Sequence, residues 1–486
     1  MRRNRAKRLP RTTTWPLAQA GRSRYRIGHK ESVCVRNRRR LVLLLTVLVV
    51  FAVSSNIAWL NPWPEKESFR GIESIPFMWQ YNQASGVEIL SAAYFPETYR
   101  TYTDRINRPT YPLAVYLIGN AIGLVASPVA DLSPLERAGA GYIVLKLLVF
   151  SLAALAMYDL LTRWLARDVA AFATLLMLLH AHSIEFAAGF HTTELQVLTP
   201  IFVLWLFFRV TDRWGERSHG APRIRRLGGL AGASVVVGVL MLAKQNYAVY
   251  LALILFAFYK REWGAVVVSV VAHLLPLAAY LLFLRAVDIP YVNHEAATYD
   301  QGTWVLDLFR QNPIQSLGQV IDSLWRSLVH LTGFFSVWLL LAVAALARIR
   351  SLRVDRDVLV GMGLFFFATW LQIFAANRYY DYMVSDVAIV VFALGAWMLF
   401  ELVQFLPQRL TGVVTKGVLL LWFVGNVLSF VHFPWIHPFD QPARDTEVLD
   451  NRLEMVENPQ AFTDEDRERA RGGVIVEPGT TDEEQQ

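Results

Sequence analysis

Apolar runs of about 20 residues recur along the chain, separated by short polar or basic stretches, and none alternates residue by residue like a half-buried strand. A run of that length crosses a bilayer core of about 30 Å as helix. The pattern predicts a first span from Leu41 to about Leu60, then others at roughly 139–161, 169–188, 195–210, 228–244, 246–259, 263–285, 329–347, 358–376, 382–404 and 413–432. Each is expected to be helical, because hydrocarbon offers no partner for free backbone groups. The expected fold class is an all-α polytopic membrane protein with about eleven transmembrane helices and a large first loop, 61–138.

Composition agrees with the pattern. The chain has 486 residues, 54% of them apolar, and a mean hydropathy of +0.34. These values exclude an ordinary soluble domain. The net charge of +7 raises nucleic acid as a partner, but the Lys and Arg residues gather in the N-terminal arm and in alternate loops, the placement that the positive-inside rule describes. No nucleic-acid partner is therefore expected. The single cysteine, Cys34, excludes an internal disulfide and a Cys-based metal cluster. Three regions follow: a basic cytosolic arm 1–40, a transmembrane domain 41–432, and a polar acidic tail 433–486 expected to be disordered. The arm ends in Arg36-Asn-Arg-Arg-Arg40. It reads as an orientation signal and retained anchor before it reads as an anionic-lipid patch.

Topology turns on Tyr111–Ser127. This run is short, carries Asn120 and two glycines, and is bounded by prolines, so it is a weak spanner. If it lies along the surface or re-enters, the basic loops holding Arg163, Arg209, Arg261, Arg348 and Arg409 all fall on one side with the N-terminal arm. We therefore expect a juxtamembrane helix or hairpin there. The opposite, extracytoplasmic side then collects loop 61–138, Gly189-Phe-His-Thr-Thr-Glu194, Lys244-Gln-Asn-Tyr247 and Asn377-Arg-Tyr-Tyr-Asp-Tyr382.

The order of these features resembles the GT-C superfamily of integral membrane glycosyltransferases, such as protein O-mannosyltransferases and aminoarabinose transferases of lipid A. The similarity rests on a first span, a large acidic outer loop, and Arg108-Pro-Thr-Tyr-Pro112 opening a short apolar helix. It continues with Thr193-Glu194 opening a later span, the Gly-rich Leu230–Gln245 ending in Lys244-Gln245, and a late Asn377-Arg-Tyr-Tyr380. No single motif is specific; their order over roughly 41–400 carries the resemblance. It implies a GT-C-like fold and transfer of a sugar from a polyprenyl-phosphate donor to a hydroxyl of a glycan, lipid or protein acceptor, with membrane lipid as surroundings. It also implies a bacterial or archaeal plasma membrane as the location. No cofactor is assigned and no metal is expected.

Within that chemistry a carboxylate serves as general base on the acceptor hydroxyl, and cations stabilise the departing phosphate. Glu73, in Glu73-x-x-x-Phe77-x-x-x-Tyr81, is the first choice of base, where the family usually carries Asp; Glu67 and Glu65 are runners-up. Each also reads as a solvated loop carboxylate. Glu194 is a further catalytic candidate, against a simple role at a helix N-terminus. Arg108, Lys244, Arg378, Tyr379, Tyr380 and His191 are candidates for phosphate or substrate contact, each with an interface-anchor alternative. Lys146 and Asp386 fall inside predicted spans, where ionisable groups usually face a cavity or partner. His180, His182 and Glu185 lack metal-ligand spacing. A glycolipid transporter or flippase, or a surface-polysaccharide polymerase or ligase, remains as the alternative function. The chain shows no internal repeat of the kind a transporter would carry.

Overall fold

A computed structural model describes residues 33–56, 70–72, 75–80, 83–101, 106–190, 192, 195–215, 223–244, 247–259, 261–291, 303–348, 356–376, 384–432 and a few positions between 454 and 466. These residues are overwhelmingly helical, as the pattern predicted. One small antiparallel ladder, β1 (Arg70–Ile72) with β2 (Ile75–Gln80), adds to the first loop. The helices are α1 (Val33–Ser55), α2 (Gln83–Ala93), α3 (Thr98–Thr101), α4 (Thr110–Ala126), α5 (Pro134–Leu161), α6 (Arg167–Leu178), α7 (Ala181–Phe186), α8 (Leu195–Gly215), α9 (Arg223–Met241), α10 (Tyr247–Tyr259) and α11 (Trp263–Ala286). They continue as α12 (Thr303–Leu308), α13 (Pro313–Phe335), α14 (Val337–Ala347), α15 (Arg356–Ala376), α16 (Ala388–Val403, led by a 3-10 turn Val384–Val387) and α17 (Gln408–His432). Most of the acidic tail lies outside the described residues.

Every predicted apolar run is occupied by helix, but the helices are not eleven equal crossings. Among the described residues, four are long and apolar enough to cross a membrane: Pro134–Leu161, Trp263–Ala286, Val384–Val403 and Gln408–Ser429. A fifth is reached if the bent pair α13–α14 counts as one. The protein is thus an integral membrane protein by length and composition of its helices.

Two predicted spans come out differently. The 169–188 run is broken after α6. The His180 side chain accepts from the His182 N–H through Nδ1 (3.1 Å), which leaves Nε2 as the protonated nitrogen facing the Phe334 carbonyl at 2.9 Å. Both ring nitrogens are used in one neutral tautomer, so His180 caps α7 and staples the break to the end of α13. The 329–347 run is bent by 102° at Ser336, whose φ of +50° is a left-handed conformation that few side chains adopt. A continuous helix cannot pass through that residue.

The first-loop helix expected at Tyr111–Ser127 is present as α4, and it folds back on α5 as a hairpin. α5 begins with a capping box, Ser133 with Glu136, and Pro134 in the first turn. Two glycines set the crossing: a Cβ at Gly119 would overlap the Arg137 carbonyl, and one at Gly141 would overlap that of Val115. Only glycine permits backbones this close. Arg137 then donates to the Asn120 side chain across the hairpin (3.2 Å).

Side-chain pairs also give the bundle two chemically different ends. Arg39 bridges to Asp168 (2.8 Å), joining the second turn of α1 to the first turn of α6. Asp159 near the end of α5 holds Arg209 (2.6 Å) and the Trp205 indole (2.9 Å) near the end of α8. At the other ends of the same helices, Ser54 of α1 accepts from the Ala188 N–H (2.9 Å), and the start of α5 packs with Phe190 and Leu195 at the start of α8.

Candidate functional site

The end of the bundle opposite the Arg39–Asp168 pair is built on a compact cluster: Ile89 of α2, Tyr111 and Val115 of α4, Tyr142 of α5, Phe190, and Ala243 just past α9. The Tyr111 and Tyr142 rings lie 5.8 Å apart, and Phe190 meets Tyr142 edge-on at 5.3 Å. Such aromatic pairs hold the short loop helices against the spans and fix the backbone on which polar groups are mounted.

Charged side chains border this cluster, and they are buried. Arg108 is 9% exposed and Lys244 4%. Although distant in sequence, the segments that carry them are joined by a backbone bond. The Thr110 N–H at the start of α4 donates to the Leu242 carbonyl at the end of α9 (3.3 Å). Arg108 precedes that donor by two positions and Lys244 follows that acceptor by two. Pro109 turns the chain into α4, and the last turn of α9 ends on Lys244 through its N–H to the Leu240 carbonyl (3.0 Å). The stretch just before Arg108 is held as well, because Tyr280 of α11 donates its hydroxyl to the Ile106 carbonyl (2.7 Å).

Lys146 lies deeper, within α5, and is fully buried. Its ammonium donates to the Phe186 carbonyl (3.0 Å) and stands 5.7 Å from the centre of the Tyr111 ring. A buried ammonium is costly unless paired, and a carbonyl at a helix C-terminus with an aromatic face nearby supplies part of that compensation. Asp386, the other ionisable group expected inside a span, is buried in the 3-10 turn that leads into α16.

The remaining candidates, Glu67, Glu73, His191, Glu194, Arg378, Tyr379 and Tyr380, lie outside the described residues, as does Glu65. The element that bears on two of them is described. Thr192, between His191 and Thr193-Glu194, donates its hydroxyl to Glu88 of α2 (3.1 Å), and both side chains are buried. Among the described residues no group of three His, Cys, Asp or Glu side chains is arranged to hold a metal ion.

No protein-family model and no curated protein matches this chain. Solved structures do. The chain is similar to an archaeal oligosaccharyltransferase. That protein, from Archaeoglobus fulgidus, aligns at 15% identity with a TM-score of 0.48 over 90% of this chain and 58% of its own. ArnT from Cupriavidus metallidurans aligns at 16% identity with a TM-score of 0.45, over 90% of this chain and 72% of its own. The chain therefore spans a little under three fifths of the archaeal protein.

Sequence reasoning passed over Glu88 as a site residue. The first loop also holds Glu97 and Asp104, and nothing in its spacing sets Glu88 apart from them. Burial distinguishes them where both are described: Glu88 is 2% exposed, whereas the Glu97 side chain is 57% exposed and pairs with Arg100 on the surface. The signal available in sequence was local. Val87-Glu-Ile-Leu90 places a carboxylate inside an apolar helical turn, where a charge needs a partner.

Proposed function

We propose that this protein transfers a sugar from a polyprenyl-phosphate donor to an acceptor hydroxyl at the bundle end built around Arg108 and Lys244. The observation that carries the reading is the Thr110–Leu242 backbone bond, which ties together the segments that carry Arg108 and Lys244, both buried. Two cations beside an aromatic cluster suit a phosphodiester whose lipid tail stays in the membrane. Arg offers a planar two-pronged donor and Lys a compact charge. In the reaction a carboxylate, Glu73 by preference and Glu67 or Glu194 otherwise, takes the proton of the acceptor hydroxyl. The oxygen attacks the anomeric carbon, the bond from that carbon to the phosphate oxygen breaks, and the polyprenyl phosphate leaves with the electron pair. The configuration at the anomeric carbon inverts. Arg108 and Lys244 offset the negative charge that grows on the leaving phosphate, which is worth most where water is excluded.

The arrangement of charge supports the extracytoplasmic side for this chemistry. Arg39 and Arg209 mark the opposite end of α1 and α8, and basic residues favour the cytosol. The test is transfer by the purified protein in liposomes supplied with radiolabelled polyprenyl-phosphate sugars and a hydroxyl acceptor. Arg108→Ala and Lys244→Ala should each reduce turnover by about 100-fold or more, the loss typical of removing a charge-stabilising donor. Full activity in both variants, or no donor consumed by the wild type from a panel of such sugars, would end the proposal.

A further inference from the structure

The helix α13, Pro313–Phe335, is polar and apolar on opposite faces, but the faces are turned the wrong way for a water-soluble protein. Ser323 and Ser327 are buried against the protein, the Ser327 hydroxyl bonding the Ser323 carbonyl (2.8 Å). The stripe Ile314, Leu317, Ile321, Trp325 and Leu328, at helical spacing on the other side, is exposed, Ile314 by 79% and Trp325 by 63%. A third strip between the two carries the Asp322–Arg326 ion pair (2.9 Å), with both side chains more than half exposed.

The position of this helix excludes a simple crossing. It meets α14 at 102° through Ser336. The elbow is pinned from three sides: Phe335 against Phe392 of α16 (5.5 Å), Leu331 and Phe334 against Val384, and His180 against the Phe334 carbonyl. Val384 starts a 20-residue candidate span. The far end of that span, near Phe400, packs on Phe172 of α6, whose first turn holds the Arg39–Asp168 pair. The elbow itself stands beside the middle of that span, at Phe392 and Gly395, and the last turn of α13 reaches from there toward the span's Arg108 end, where Leu331 and Phe334 meet Val384. From the elbow α13 extends about 35 Å at the helical rise. Beyond the elbow its exposed stripe continues into the exposed Val337, Leu340 and Val343 of α14, part of the apolar surface that a membrane protein turns to lipid.

We propose that α13 lies in the plane of the leaflet at the Arg108 end of the bundle. Its Ile314–Leu328 stripe is immersed among acyl chains, and Asp322 and Arg326 face the headgroups. The serine face completes the protein wall. The partner is the lipid leaflet itself, and the helix neither crosses it nor waits for another protein. Interfacial helices of this kind are held by buried apolar area, with charged side chains directed to the headgroup layer.

The test uses the full chain in a Cys34→Ser background, reconstituted in phosphatidylcholine–phosphatidylglycerol vesicles. Single spin labels are placed at 314, 317, 321, 325 and 328, with 319 and 322 as references. Leu324 substitutes for any stripe position whose variant elutes as aggregate. Collision with oxygen and with a nickel chelate reports depth. The expected result is high oxygen access and one common depth along the stripe, within a few Å, and nickel access at 319 and 322. A depth that changes steadily by about 1.5 Å per residue from 314 to 328 would make α13 a crossing helix and overturn the proposal. Nickel access along the stripe, or exclusion of both reagents there, would overturn it in favour of water or a protein partner.

Discussion

The Thr192–Glu88 hydrogen bond gives the sharpest test of how the first loop is locked to the spans. Thr192→Val keeps the side-chain shape and removes the donor, while Glu88→Leu keeps a similar volume and removes the acceptor. The bond is 3.1 Å long, between residues 1% and 2% exposed, so water cannot replace it. A hydrogen bond to a carboxylate contributes about 1.5–3 kcal/mol net, and a stranded buried acceptor costs a similar amount. Each single variant should therefore lose about 1.5–3 kcal/mol against unfolding in an SDS titration from mild detergent. Because both variants break one interaction, the double variant should lose clearly less than the sum, with a coupling of about 1–3 kcal/mol. Additive losses, within about 0.5 kcal/mol, would refute the reasoning and leave the two residues energetically independent.

Other outcomes follow from the same structure. Gly119→Ala should lower stability by about 1–3 kcal/mol, since its Cβ overlaps the Arg137 carbonyl. Gly229→Ala, with nothing within reach of its Cβ, should raise stability by about 0.5–1 kcal/mol, and equal effects at both sites would contradict the α4–α5 crossing. Tyr99, in the first loop, has its phenol pKa raised by burial and then by the neighbouring Glu88 carboxylate. Its folded form keeps a proton that the unfolded chain releases above about pH 10, so stability should fall as pH rises beyond that value. Thermal midpoints of the wild type and Tyr99→Phe between pH 8 and 11 should diverge, and parallel curves would count against this assignment. A reporter fused after Gly220 should read cytosolic and one after Gln301 external. The reverse would move Arg108 and Lys244 to the cytosolic side.

Much of the fold was legible because lipid leaves so few choices. A run of about 20 apolar residues must be helix whatever it packs against, so the positions of α1, α5, α8, α11, α15, α16 and α17 follow from hydropathy alone. The weakness of Tyr111–Ser127 as a spanner was equally local, visible in its length, Asn120 and its flanking prolines. Length and hydropathy carry no information about where a helix stops being straight. The breaks at His180 and Ser336 depend on partners far along the chain: the Phe334 carbonyl for one, Phe392 and Val384 for the other. A pattern that counts only apolar positions joins across both.

The site divides in the same way. Residue type nominated Arg108 and Lys244, because a lipid-linked phosphate needs cations near a membrane surface. The joining of their two segments required the Thr110–Leu242 bond between α4 and the end of α9, which no local pattern encodes. Glu88 shows the converse, as one carboxylate among several in sequence that becomes distinct only through burial beside Thr192. Alone, the sequence determined that the chain is a helical membrane protein, where its helices run and which side chains could meet a phosphate, since each depends on transfer from water to lipid or on local charge. Which of those side chains share one surface, and which helix turns along the membrane instead of through it, was decided by packing between segments far apart in the chain.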